Sequence, residues 1–121
     1  MIEQLPAPDG VIAFRASDRV VAEDYENVLR PAVDAAVATY GRIRIVLELG
    51  PEFDGYSAGA AWEDVKLWGP NLTKWERCAV VSDNRVINDA IRVFRIVMPG
   101  EVKLFPGGAL DEALGWAASP A

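Results

Sequence analysis

Residues 43–49 read IRIVLEL, and this short run decides the fold. Its β-branched and apolar side chains suit a strand covered on both faces, as happens inside a parallel sheet. Immediately upstream lies the clearest helical pattern in the chain. Tyr25, Val28, Leu29, Ala32, Val33, Ala36, Val37 and Tyr40 recur at helical spacing and build one apolar face. Glu23, Asp24 and Glu26 place negative charge in the first turn, and Gly41 suits the position just past the last one. Pro31 interrupts this pattern, so a kink or irregular turn is expected near residues 27–31.

Working outward, Met1–Leu5 and Val11–Ala16 alternate around the turn Pro8-Asp9-Gly10 and read as a hairpin. Downstream, a Gly-containing turn near Phe53–Gly55 precedes a helix from Ser57 to about Trp68, stopped by Gly69-Pro70. Arg77–Val81 reads as another buried strand. Arg85–Met98 is a strongly apolar helix closed by Pro99-Gly100. Glu101–Phe105 is a last strand and Ala109–Ala118 a last helix, before a short tail Ser119-Pro120-Ala121. The order β-β-α-β-α-β-α-β-α predicts an α/β sandwich. Its sheet has about five strands, mostly parallel through right-handed crossovers, with an antiparallel N-terminal strand.

The 121 residues are 51% hydrophobic and 25% charged, which fits one globular domain over residues 1–121 with a single core. A net charge of −6 argues against a general nucleic-acid binder, because phosphate neutralisation needs a basic face. Histidine is absent and Cys78 is the only cysteine. An intramolecular disulfide, Cys/His zinc sites and Ser-His-Asp or Cys-His catalysis are therefore excluded within one chain. Cys78 lies in the apolar run Cys78-Ala79-Val80-Val81 and reads as a buried strand thiol. No basic segment followed by an apolar core opens the chain, and no apolar run approaches the ~20 residues that span a bilayer. A cytoplasmic protein is the expectation.

The chain also resembles a bacterial family, the SpoIIAA-like proteins, relatives of the STAS domain of anti-sigma-factor antagonists and anion transporters. The resemblance rests on Ala22-Glu23-Asp24-Tyr25-Glu26, Leu47-Glu48-Leu49 and Phe53-Asp54-Gly55-Tyr56. It continues through Ala61-Trp62-Glu63-Asp64-Val65-Lys66, Trp75-Glu76-Arg77 with Ala79-Val80-Val81, and Phe105-Pro106. It implies a STAS-like fold, no enzymatic activity, frequent dimers, and a role in binding nonpolar ligands or associating with membranes through mobile helices. In the antagonists, a serine at the start of the helix after the central strand is phosphorylated by a partner kinase, within a D-S-[ST]-G-type motif. The matching region here is Asp54-Gly55-Tyr56-Ser57-Ala58-Gly59, which keeps a serine but not the motif.

Ser57 therefore has three readings: a helix N-cap, a phosphorylation or binding position, or a nucleophile without a histidine base. Tyr56, Trp62, Val65 and Trp68 from one helix, with Ile87, Ile91 and Phe94 from the other, are the expected lining of an apolar ligand site. Core packing is the alternative for the tryptophans, and a dimer interface for the surplus apolar surface of residues 85–98. Arg85, Arg92 and Arg95, with Met98, mark the expected contact with a membrane surface or a partner. Glu52, Asp54, Glu63 and Asp64 read as acids that face water, so neither an acid/base pair nor a metal set is expected, and no cofactor. The expected partner is a nonpolar small molecule or lipid at the inner membrane face, with a homodimer. The alternative is a regulatory protein module switched at Ser57.

Overall fold

In the computed structural model, residues 1–96 and 98–120 are described, apart from the side chain of Leu72. Val97, placed by the sequence in the apolar arc of residues 85–98, and Ala121 lie outside the described residues. The strands are β1 (Ile2–Leu5), β2 (Ile12–Val20), β3 (Ile43–Tyr56), β4 (Trp75–Val81) and β5 (Glu101–Phe105). One helical stretch joins β2 to β3: α1 (Ala22–Asp24), a π segment (Tyr25–Leu29) and α2 (Arg30–Tyr40). The remaining helices are α3 (Ala58–Trp68), α4 (Arg85–Phe94) and α5 (Leu110–Ala118).

The sheet runs in the order β1-β2-β3-β4-β5, with β1 antiparallel to β2 and the other pairs parallel. Right-handed crossovers that always step to the next strand in one direction leave their helices on one face. Leu29 and Val33, Ala60 and Leu67, and Ile91 accordingly gather over Phe14, Ile43, Ile45, Cys78 and Val80. The chain crosses to the other face only after β5. There Ala113 and Ala117 of α5 pack on Ala13, Val46, Ala79, Val81 and Phe105. Ile43, Arg44, Ile45 and Val46 are all buried, so the opening of the IRIVLEL strand is covered on both sides.

Two arginines on the α5 face explain how that helix is held. Arg44, buried on β3, donates to the carbonyls of Ala117 (2.9 Å) and Ser119 (2.6 Å) and pairs with Glu76. Arg77 donates to the carbonyl of Trp116 (2.5 Å) and lies over its ring, 5.0 Å from the centroid. Cations at a helix C-terminus satisfy carbonyls that the helix leaves unpaired and complement its dipole.

One local expectation is met and two change. The irregularity before Pro31 is a π segment. Proline has no N–H for the carbonyl four residues back and crowds it, and a wider turn at Tyr25–Leu29 relieves the clash. Phe53–Gly55 is not a turn: β3 continues to Tyr56, pairing Asp18 with Phe53 and Val20 with Tyr56 across two register shifts. Asp18 (φ +53°) and Gly55 (φ +86°) absorb those irregularities. Finally, α4 stops at Phe94 rather than Met98. Arg95 caps it, Ile96 lies in a tight turn, and Met98 precedes a proline, a position that disfavours helical backbone.

Candidate functional site

α3 starts at Ser57, whose Oγ accepts from the Ala60 N–H at 3.1 Å. The hydroxyl thus satisfies one of the free donors of the first turn. Beyond that cap, the helix is turned in an unexpected sense. Its inner face carries Ala60, Glu63 and Leu67, all buried, with half-buried Asp64 and Trp68. Trp62 and Val65 point outward, each 61% exposed, beside exposed Lys66.

The two carboxylates that the sequence assigns to water are therefore packed inward, because each finds partners on the neighbouring helical stretch. Glu63 pairs with Lys66 at 2.7 Å and Arg30 at 3.2 Å. These cations hold its carboxyl below the usual range, with the Lys66 hydrogen bond as the largest influence. Asp64 Oδ1 accepts from the Tyr25 hydroxyl at 2.7 Å and from Trp68 Nε1 at 2.9 Å. Burial nevertheless raises its carboxyl above the ordinary value, the two hydrogen bonds opposing the shift. The π segment delivers Tyr25 to this spot, and burial raises its phenol as well. Glu52 and Asp54 do face water. Beneath them all, Cys78 is buried and its thiol is pushed up to about 12, a poor nucleophile.

α4 is turned outward further still. Asn84 caps it, accepting from the Ile87 N–H at 3.1 Å, yet no residue of the helix is fully buried. Ile87 and Ile91 are half-buried, while Val86 (78% exposed), Val93 and Phe94 (60%) face solvent. Arg85, Arg92 and Arg95 are exposed along the same helix and its cap, Arg92 pairing with Asp89. Met98 is half-buried beyond the helix. Tyr56 is exposed and meets Phe53 edge-on at 5.3 Å; Trp68 meets Trp75 edge-on at 4.3 Å. The expected ligand residues thus divide. Tyr56, Trp62, Val65 and Phe94 form outer apolar surface, Trp68 and Ile91 join the packing beneath, and Ile87 is half-buried.

None of these expected ligand residues lines a cleft of about 650 Å³ at the carboxyl edge of the sheet. Its walls include Arg15, Glu48, Phe53, Val81, Asp83 and Gly107, which sequence reasoning missed. The available signal was topological: the loops after β4 and β5 lead to helices on opposite faces, and such strand ends splay apart. Part of the charge in this cleft is matched within the chain, while Glu52 is exposed at its wall. Arg15 pairs with Glu48 and Glu3, and Asp83 Oδ1 accepts from the Gly107 N–H at 2.8 Å. Among the described residues, no group of three His, Cys, Asp or Glu side chains is placed to hold a metal.

The SpoIIAA-like family model matches residues 11–118, nearly the whole of this architecture. The chain belongs to the SpoIIAA-like family. A solved structure agrees: an uncharacterized protein from the DUF3478 family with a SpoIIAA-like fold, from Shewanella loihica PV-4. It is 30% identical with a TM-score of 0.77, the match covering 98% of this chain and 93% of that one. A comparison with curated proteins finds no match. No helix among the described residues of this SpoIIAA-like domain is long and apolar enough to cross a membrane.

Proposed function

We propose that this SpoIIAA-like domain is a non-enzymatic binding module for a nonpolar small molecule or lipid, used at a membrane surface. The outward orientation of α3 and α4 carries this reading: Trp62, Val65, Val86, Val93 and Phe94 all face solvent. Large apolar side chains held in water on these two helices supply the surface that such a partner would cover. Arg85, Arg92 and Arg95 stand where anionic head groups would meet the same helix. α4, with no fully buried side chain, can shift at small cost and adapt to what it covers. No covalent step is required.

Vesicle sedimentation and native mass spectrometry of the purified protein test the reading. Binding should favour anionic over neutral vesicles and weaken with salt. Trp62→Ala with Val65→Ala should reduce it by roughly tenfold or more, as expected for losing two buried apolar side chains. Absence of both a retained nonpolar molecule and vesicle binding overturns the proposal.

A further inference from the structure

Among the described residues, α5 is the helix that packs on its face of the five-stranded sheet. A helix is about 10 Å across and strands lie ~4.8 Å apart, so one helix covers about two strands. β2 and β3 run on past α5, to Val20 and Tyr56, and Arg15 and Glu48 stand paired where its cover ends. The gap is the cleft of about 650 Å³. Asp83, Asn84, Gly107 and Gly108 close its other side, where the loops after β4 and β5 part toward opposite faces. Open α/β sheets take ligands in crevices outside the carboxyl ends of their strands, and this volume is that of a small-molecule site.

Much of the lining is apolar, from Leu49, Pro51, Phe53 and Val81. Phe53 is steadied by Tyr56, which meets its ring edge-on. The charge is unequal: three carboxylates, Glu48, Glu52 and Asp83, stand against the single guanidinium of Arg15. That guanidinium already pairs with Glu48 and with Glu3 outside the cleft. Donors that would suit an anion are also engaged. Asn84 accepts from the Ile87 N–H in the first turn of α4, and Asp83 Oδ1 accepts from the Gly107 N–H. Gly107 permits that contact, since a side chain there would collide with Asp83 Oδ2. Glu52 and Asp83, both exposed, thus bring negative charge to an apolar hollow from two separate segments.

We propose that this cleft binds a small organic ammonium ion. Its charged head is held by Glu52 and Asp83, and its apolar body lies against Phe53, Leu49 and Pro51. The cavity makes the site, and its charge selects the ligand class. An ammonium group brings N–H donors to carboxylates that have no cation of their own in the cleft, and charge-assisted hydrogen bonds are the strong ones. A ligand carboxylate meets an excess of like charge there, and a neutral molecule gains only the apolar contact. The site differs in place and in ligand from the outer surface of α3 and α4, and it does not rest on that reading.

Amide chemical-shift titration by NMR tests the proposal, with butylamine and phenethylamine as probes and butanoate and phenylpropanoate as their anionic counterparts. Both amines should shift the Asn84, Gly107 and Gly108 amides in a saturable manner, and the carboxylates should bind roughly tenfold more weakly or not at all. Glu52→Lys and Asp83→Asn should each weaken amine binding by roughly fivefold or more. Circular dichroism should stay native, because both positions are exposed. Trp62→Ala with Val65→Ala should leave amine binding unchanged, which separates failure of this site from failure of the outer surface. Amines that leave those amides unmoved overturn the proposal. So do carboxylates that bind as well as amines, binding that survives both cleft substitutions, or binding that is lost with Trp62 and Val65.

Discussion

α4 and α5 are similar in length, each follows a parallel strand, and each packs on the sheet, yet they are attached by different physics. α5 buries Ala113 and Ala117 completely, and buried Arg44 and Arg77 grip its last carbonyls. α4 rests on half-buried Ile87 and Ile91, with Val86 and Val93 pointing away from the protein. One helix belongs to the core and the other lies on top of it. Sites that must open or adapt are drawn from the least stable part of a fold, which directs attention to α4.

The largest effect should come from breaking the tighter attachment. Arg44→Ala removes the buried cation that bridges Glu76 and the end of α5, leaving the Ala117 and Ser119 carbonyls without their donor and Glu76 with Arg42 alone. A loss of about 3 kcal/mol is expected in urea unfolding, in the range found when one partner of a buried ion pair is deleted. A loss below ~1 kcal/mol would show that α5 is held by its alanines alone, and the contrast with α4 would shrink.

α3 stands between these extremes, and its cap gives the next largest effect. Ser57→Ala should cost about 1 kcal/mol, as for other N-caps, because the Ala60 amide loses its acceptor. No change in the unfolding midpoint would mean that the cap is replaced by water at no cost. Asp64→Asn should act in a pH-dependent manner. Burial raises the Asp64 carboxyl in the folded state, so the fold holds this proton more tightly than the unfolded chain does. The contribution of this group is fully present below its ordinary value of 3.8 and declines as pH rises through the raised value. The variant lacks that decline, so its stability relative to the parent should grow from about pH 4 upward. Parallel stability curves from pH 4 to pH 7 would refute a desolvated Asp64.

What the sequence disclosed follows the same division. Elements whose burial is set by local pattern were legible: IRIVLEL, the 25–40 periodicity and the Ser57 cap each carry their reason in adjacent residues. The inward turn of Glu63 and Asp64 was not, because it depends on Arg30 and Tyr25, over thirty residues upstream and rotated by a π segment. Trp62 and Val65 were legible as apolar helix positions but not as outer surface, since hydrophobicity alone does not tell a buried stripe from an exposed one. The cleft at the carboxyl edge of the sheet was invisible because its walls come from separate strands. Arg15, Glu48, Asp83 and Gly107 meet only after four strands, β2 to β5, have aligned.

The smallest effect on stability is expected where the apolar surface is largest. Val86→Ser and Val93→Ser together should change unfolding free energy by no more than about 0.5 kcal/mol, because neither side chain leaves water on folding. Their effect should fall on vesicle or ligand binding instead, which should drop while the fold is kept. α5 offers no such separation, since Ala113 and Ala117 are fully buried and any larger side chain must strain the sheet packing. If the valine substitutions destabilised the chain by ~2 kcal/mol or more, α4 would be bearing core packing that its exposure denies. If they left both stability and binding unchanged, the surplus apolar face of α4 would belong to neither the core nor the ligand, and α3 alone would carry the site.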